Sequence, residues 1–159
     1  MATYKDAKGV LSAKEREFLH SVASQGDVIL NVGVEFGASV HCFQEGNPKC
    51  RIIAIDIIGG EQFEGKRDRV TFIKADTLEV DLDFGEVDIS FIDGSHYYHI
   101  ISEDIKKFAP ITKKLMVFHD YSELPWVQGV VKALDEWKTD EWKKIKQVDT
   151  IAVYERVEC

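Results

Sequence analysis

Short apolar runs rich in β-branched residues alternate with helical segments along most of this 159-residue chain. Five of the runs predict strands, at residues 28–32, 51–56, 70–74, 87–92 and 114–119. Strands that alternate with helices form a mostly parallel sheet with helices on both of its faces. The tail, residues 144–148 and 151–157, alternates like a hairpin and predicts an antiparallel C-terminal edge strand. We therefore expect one α/β domain over residues 1–159, built as a three-layer, doubly wound sheet.

Capping residues and prolines mark the ends of the predicted helices. Ser12 and Glu15 have the spacing of a capping box, which predicts a first helix that continues to near Gly26. Pro110 ends a later helix, and Pro125 begins the last one. The strands therefore have a helix available for most of the connections that a parallel sheet requires.

A glycine-containing turn follows the first predicted strand. Gly33 permits a tight turn, and Gly37 opens a helix whose N-terminal amides can receive an anionic group. About twenty residues further on, the second strand ends in Asp56, whose carboxylate is placed to accept both hydroxyls of a ribose. The arrangement is that of a Rossmann-like nucleotide site. Its Gly-x-x-x-Gly spacing favours S-adenosylmethionine, which has no pyrophosphate, over NAD.

Two further residues of this turn are candidates for cofactor contacts. Ser39 either caps the helix or binds the carboxylate of the ligand, and Glu35 either contacts the cofactor or is solvated. A generic strand-to-helix turn with a surface aspartate is the alternative for the whole segment. The position of Asp56 relative to the glycines favours the ligand site.

The third predicted strand ends in Asp76, followed by Thr77. Both residues would lie at the carboxyl edge of the sheet, where an adenine is expected, and Asp76 could accept a hydrogen bond from its amino group. An Asx-turn that leaves the strand is an equally good interpretation of the same residues.

Acidic and imidazole groups follow the fourth and fifth predicted strands. Asp93 and His96 follow residues 87–92, and His119 and Asp120 end the fifth strand. Because ligands bind outside the carboxyl ends of the strands in an open α/β sheet, we expect these four side chains to converge. Two carboxylates and one histidine could hold a divalent cation, and the second histidine would suit a general base. Isolated surface or structural histidines are the alternative interpretation.

Charge and cysteine usage exclude several classes of protein. A formal charge of −8 argues against a general nucleic-acid or membrane-surface binder. Cys42, Cys50 and Cys159 have no metal-ligand spacing and are expected to be free thiols. No apolar run approaches membrane-spanning length, so a cytoplasmic protein without a membrane partner is expected. Trp126, Trp137 and Trp142 are assigned to the core or to contacts in a homodimer.

The chain resembles the class I S-adenosylmethionine-dependent methyltransferases over nearly its full length. The closest likeness is to the small O-methyltransferase and cephalosporin-hydroxylase-like group, which carries Phe-Ile-Asp-Gly-x-His and Phe-His-Asp-Tyr motifs. Residues 91–96 and 118–121 match these motifs. The resemblance implies a seven-stranded sheet and cofactor contacts at Gly33, Gly37, Ser39, Asp56 and Asp76. It also implies a Mg²⁺ site at Asp93, His119 and Asp120, with His96 as the base.

The predicted function is methyl transfer to a small molecule. A substrate oxygen, or less readily a nitrogen, would attack the sulfonium methyl in line, and His96 would remove the substrate proton. His119 is the competing candidate for the base, and Asp93 and Asp120 act either as metal ligands or as groups that orient the substrate. A non-catalytic S-adenosylmethionine-binding or partner protein of the same fold is the alternative, because no cap over the substrate is recognisable in the sequence.

Overall fold

A computed structural model describes residues 3–65 and 69–158 and shows the expected three-layer α/β sandwich. The seven strands are β1 (Val28–Val32), β2 (Arg51–Asp56), β3 (Val70–Lys74), β4 (Val87–Ile92), β5 (Thr112–Phe118), β6 (Trp142–Val148) and β7 (Ile151–Arg156). The helices are α1 (Ala13–Val22), α2 (Ala38–Gly46), α3 (Tyr98–Phe108) and α4 (Gln128–Glu136). Short 3₁₀ turns occupy Ala23–Gln25, Glu61–Phe63, Ala109–Ile111 and Pro125–Val127.

The seven strands form one sheet in the order β3-β2-β1-β4-β5-β7-β6. Strands β1 to β5 pair in parallel, and the C-terminal hairpin pairs antiparallel, with β7 inserted between β5 and β6. The chain moves outward in one direction from β1 and in the other direction from β4. These two neighbouring strands therefore form the topological switch point, where ligands bind in sheets of this kind. The predicted fold class is confirmed.

Successive side chains along each central strand point to opposite faces of the sheet, so one apolar layer forms on each face. Ile29, Phe91 and Val117 pack in the layer with α1 and α2. Leu30 and Phe118 pack in the opposite layer with α3 and α4. Both faces of the central strands are therefore buried, which is why their sequences read as continuous apolar runs.

The predicted element ends differ from the observed ones by a few residues. The strand predicted at 114–119 begins at Thr112 and ends at Phe118, and the hairpin strand predicted from residue 144 begins at Trp142. The helix predicted to continue to near Gly26 ends at Val22 and continues as a 3₁₀ turn. Such shifts are usual, because helix and strand ends fray into turns.

Two cysteines lie within the described residues. Cys42 and Cys50 are buried free thiols, as predicted, and burial raises their pKa values to about 12 and about 11. Cys159 lies outside the described residues. Among the helices of residues 3–65 and 69–158, none has the length and apolar character needed to cross a bilayer.

Candidate active site

A cleft with a volume of about 850 Å³ opens at the carboxyl ends of β1 and β4. Among the residues predicted for the site, those that line it are Gly33, Glu35, Ser39, Asp56, Asp93, His96 and Asp120. The volume lies within the range of about 300–1,000 Å³ that is common for small-molecule sites. We call this cavity the switch-point cleft.

The turn after β1 depends on its glycine. Gly33 has a φ of +81°, and a Cβ atom built there would lie 2.0 Å from the carbonyl oxygen of Asp93. No residue with a side chain fits at this position without moving the backbone that follows β4. Gly33 therefore brings the loops after the two switch-point strands into direct contact.

Gly37 is the N-cap of α2 and does not itself line the cleft. Its φ is +87°, and no side chain caps the first amides of the helix. Ser39, in the first turn, is buried and lines the cleft. The uncapped N-terminus of α2 thus provides N–H groups at the cleft wall that can bind an anion.

Asp56 organises the wall of the cleft through main-chain contacts. Its Oδ2 accepts hydrogen bonds from the amides of Val34 (2.7 Å) and Glu35 (2.8 Å), and its Oδ1 accepts one from Ile58 (2.9 Å). Burial raises the pKa of Asp56, but these amide hydrogen bonds prevail and hold it below its usual value. The ribose contact proposed for Asp56 must therefore share oxygens that already hold the turn in place.

Glu35 lies on the same turn with a left-handed φ of +48°. Its side chain is exposed and lines the cleft, while its backbone carbonyl accepts a hydrogen bond from the amide of Gly60 at 3.2 Å. The carboxylate of Glu35 is consequently available to a ligand, whereas that of Asp56 is largely occupied.

Asp76 and Thr77 do not line the switch-point cleft. Asp76 Oδ1 accepts a hydrogen bond from the amide of Leu78 at 2.9 Å, and the Asp76 carbonyl accepts two more from Glu79 and Val80. This is the Asx-turn that was the alternative interpretation of the sequence. The adenine contact stays a prediction without support from this geometry.

His96 and Asp120 form a close pair at the mouth of the cleft. His96 Nε2 lies 2.7 Å from Asp120 Oδ2, and the side chain of His96 is about half exposed. Asp120 has a left-handed φ of +64°, a conformation that aspartate tolerates better than most residues. This backbone geometry turns its carboxylate back toward the loop after β4.

His119 lies behind this pair and is 5% exposed. Its Nδ1 lies 3.1 Å from Asp93 Oδ1 and 3.2 Å from Asp120 Oδ2, and its Nε2 lies 3.1 Å from Glu15 Oε2. Burial lowers the pKa of His119, but its hydrogen bonds to Asp120, Asp93 and Glu15 outweigh burial and raise it to about 12. Of the two histidines predicted as candidates for the base, His119 is therefore enclosed, and His96 is the one exposed at the cleft.

The carboxylates around His119 respond to it differently. Burial raises the pKa of Glu15, but hydrogen bonds from His119, Ser12 and Thr150 lower it to about 2. The pKa of Asp120 is lowered despite burial by hydrogen bonds from His119 and His96, whereas burial raises the pKa of Asp93. One donor atom each from Asp93, His119 and Asp120 can be chosen so that all three lie within 4.8 Å of one another. The predicted metal-ligand set is therefore brought together.

Three features of the site were missed by the sequence analysis. Glu15 was recognised only as a helix cap. Trp126 was assigned to the core or a dimer contact, but it is 66% exposed and lines the cleft. Residues 9–11 of the N-terminal segment also line the cleft, which the sequence did not indicate.

The N-terminal segment is attached by Arg16, a buried residue of α1. Its guanidinium donates hydrogen bonds to the carbonyls of Tyr4 (2.9 Å), Gly9 (3.1 Å) and Leu11 (3.0 Å). Nothing in the local sequence predicts these contacts, because a basic residue in a helix is usually solvated.

Solved structures share this fold, although no protein-family model matches the chain and no curated protein is significantly similar in sequence. Cofactor-bound Rv0187 from MTB matches with a TM-score of 0.77 and 18% identity, over 92% of this chain and 81% of that one. An O-methyltransferase from Bacillus cereus in complex with SAH matches with a TM-score of 0.71 and 16% identity, over 93% of this chain and 83% of that one. The MycE methyltransferase from the mycinamycin biosynthetic pathway, in complex with Mg and SAH, matches with a TM-score of 0.67 and 17% identity. The match covers 94% of this chain and 51% of that one. The chain thus has the fold of these solved structures, two of which are methyltransferases.

Proposed function

We propose that the protein is an S-adenosylmethionine-dependent methyltransferase that acts on a hydroxyl group of a small molecule. The observation that carries the proposal is the His96–Asp120 pair, 2.7 Å apart, at the mouth of the cleft that the glycine turn lines. A site for a nucleoside cofactor and a group able to remove a proton thereby share one cavity. The similar solved structures that bind SAH or SAM have the same fold.

The cleft fits S-adenosylmethionine at three points. The uncapped N-terminus of α2 suits the carboxylate of the methionine part. Because Gly33 has no Cβ, the loops after β1 and β4 can lie in contact at the wall of the cleft. Glu35 and Asp56 would receive the ribose hydroxyls.

The reaction requires one proton transfer and one displacement. Because Asp120 is an acceptor, His96 donates its Nε2–H to it, which leaves Nδ1 to take the proton of the substrate hydroxyl. The hydroxyl oxygen then forms a bond to the methyl carbon while the bond from carbon to sulfur breaks. The products are a methyl ether and S-adenosylhomocysteine, and the proton leaves from His96 to water. Most of the rate enhancement would come from alignment of the two reactants.

A divalent cation fits the residues behind the base. Asp93, His119 and Asp120 offer two carboxylates and an imidazole, a donor set that suits Mn²⁺ and related metals better than Mg²⁺, which prefers oxygen ligands alone. When bound, a cation there would act as a Lewis acid toward substrate oxygens. Without one, the same carboxylates would orient the substrate, and His96 would still be positioned by Asp120.

Release of S-adenosylhomocysteine from S-adenosylmethionine in the presence of a panel of hydroxylated small molecules tests this proposal. We expect at least one acceptor to support turnover by the unmodified protein. Chelator then decides the role of the cation: loss of turnover that added Mn²⁺ or Mg²⁺ restores supports a metal site, and full turnover leaves Asp93 and Asp120 as orienting groups. A protein that binds S-adenosylhomocysteine but methylates no acceptor supports the non-catalytic alternative.

A further inference from the structure

Glu15 is buried in contact with the candidate metal-ligand set but lies outside it. It belongs to α1 and is 104 residues away from His119 in sequence, and its exposed fraction is 2%. As a capping-box residue it needs only its hydrogen bond with the Ser12 amide, which it accepts at 2.9 Å. Capping residues usually lie at the surface, so burial against His119 calls for a second explanation.

The hydrogen bonds to Glu15 fix its carboxylate from several directions. Oε1 accepts from the amide of Thr150 at 3.0 Å and from its hydroxyl at 2.7 Å. Oε2 accepts from the Ser12 amide and faces His119 Nε2 at 3.1 Å. Every one of these contacts places an acceptor oxygen opposite a donor, so the carboxylate cannot turn away from the ring.

This contact determines which nitrogen of His119 carries a proton. A fixed carboxylate oxygen opposite Nε2 requires a donor there, so the Nε2 atom keeps its hydrogen. Nδ1 faces Asp93 Oδ1 and Asp120 Oδ2, the two carboxylates of the candidate cation site. Metal-binding histidines commonly have this arrangement, with one nitrogen on the metal and the other donating to a carboxylate.

We propose that Glu15 is a positioning residue that holds His119 with Nε2 protonated and Nδ1 directed at a cation bound by Asp93 and Asp120. The inference rests on the cation site of the proposed function and adds a residue to it from the N-terminal helix. Glu15 touches neither cofactor nor substrate. Its effect passes through the imidazole alone.

Mn²⁺ is the probe for this proposal, because an imidazole is among its accepted ligands and its free concentration can be read by electron paramagnetic resonance. Glu15→Gln removes the charge, and an amide cannot accept hydrogen bonds from both Ser12 and Thr150 while also accepting from His119. We expect the Mn²⁺ dissociation constant to rise about 10- to 100-fold, the usual effect of losing such a partner. Affinity for S-adenosylhomocysteine should not change.

Thr150→Val is the matched control, because it removes the 2.7 Å hydroxyl contact with Glu15 Oε1 and leaves Oε2 facing His119. This variant should bind Mn²⁺ as the unmodified protein does. Equal Mn²⁺ affinity in Glu15→Gln and the unmodified protein would overturn the proposal. An equal loss in Thr150→Val would also overturn it, since general loosening of α1 would then explain the effect.

A measurement on the unmodified protein covers the case in which Glu15→Gln does not fold. ¹⁵N spectra of the His119 ring with Zn²⁺ should show the proton on Nε2 and a metal-induced shift at Nδ1. The reverse assignment contradicts the proposal, and so does a protein that binds S-adenosylhomocysteine but no divalent cation. Failure to bind S-adenosylhomocysteine at all would instead count against the proposed function.

Discussion

At the scale of single residues, the main feature of the site is that three carboxylates cluster around two histidine side chains. Glu15, Asp93 and Asp120 all contact His119, and Asp120 also contacts the imidazole of His96. A buried carboxylate is stable only when it is paired, so the two imidazoles allow these acids to cluster. His96, the proposed base, contacts one of these acids and is about half exposed.

Substitution of His96 tests its assignment as the base. We expect His96→Ala to lower the turnover rate on an identified acceptor by about 10²- to 10⁴-fold, because proton removal by a positioned base contributes that much. Affinity for S-adenosylhomocysteine should be unchanged. His99→Ala is the control, since His99 is an exposed residue on α3 outside the cleft lining. If both variants retain full turnover, proton removal occurs elsewhere.

Asp104, which does not line the cleft, provides a test of how burial of a carboxyl group affects the stability of the protein. It lies on α3 with 1% exposure, and neither carboxylate oxygen has a hydrogen-bond partner among the described residues. Burial raises its pKa from 3.8 to about 6. The folded protein therefore holds a proton on Asp104 more tightly than the unfolded chain does. That contribution to stability is complete below about pH 4 and is lost as the pH rises through about 6.

Asp104→Asn should therefore raise the free energy of unfolding at pH 7.5 by about 1–3 kcal/mol, the range that a pKa change of this size supports. At pH 4 the substitution should have little effect, because Asp104 is then neutral in both states. Urea unfolding of both proteins at the two pH values measures the difference. A loss of stability at pH 7.5 would show that the ionised carboxylate has an undetected partner.

At the scale of elements, the turn between β1 and α2 carries the cofactor assignment. Gly33→Ala places a methyl group against the Asp93 carbonyl, so we expect loss of S-adenosylhomocysteine binding together with reduced stability. Gly85→Ala is the matched control, because Gly85 also has a positive φ (+78°) but an added Cβ would meet nothing within 4 Å. Both variants bear a backbone strain of about 1–2 kcal/mol, and only Gly33→Ala also has the clash. If calorimetric titration shows equal affinity for S-adenosylhomocysteine in both variants, the turn is not part of the binding site.

Sequence patterns predicted the elements well, because each strand and helix is specified by its own residues. All seven strands and the capping box at Ser12 follow from local periodicity and capping chemistry. The convergence of Asp93, His96, His119 and Asp120 was also predictable, since strand ends meet at one edge of a parallel sheet. The contact of Glu15 with His119 was not, because it joins α1 to the loop after β5 across a sequence separation that no local pattern encodes.

The same limit explains the interpretations that the structure did not favour. The Asp76 segment fits an adenine contact and an Asx-turn equally well by sequence; the structure shows the turn, and the adenine contact stays a prediction. The exposure of Trp126 depends on where the loop after β5 leaves the sheet, which its aromatic character does not reveal.

At the scale of the whole molecule, the proposed function depends on one property, the binding of S-adenosylmethionine in the switch-point cleft. The sheet order creates the crevice, the glycine turn and α2 line one wall, and the loops after β4 and β5 bring His96 and Asp120 to the mouth. Identification of a methyl acceptor presupposes that the cofactor binds there.

Titration of S-adenosylhomocysteine into the unmodified protein, followed by calorimetry and by thermal unfolding, tests this claim most directly. We predict saturable binding at one site and a gain in stability of about 2.7 kcal/mol when the ligand is present at 100 times its dissociation constant. NAD at the same concentration should produce neither effect, because the turn lacks the Gly-x-Gly-x-x-Gly spacing that receives a pyrophosphate. Stabilisation by NAD alone, or by neither ligand, would contradict the account.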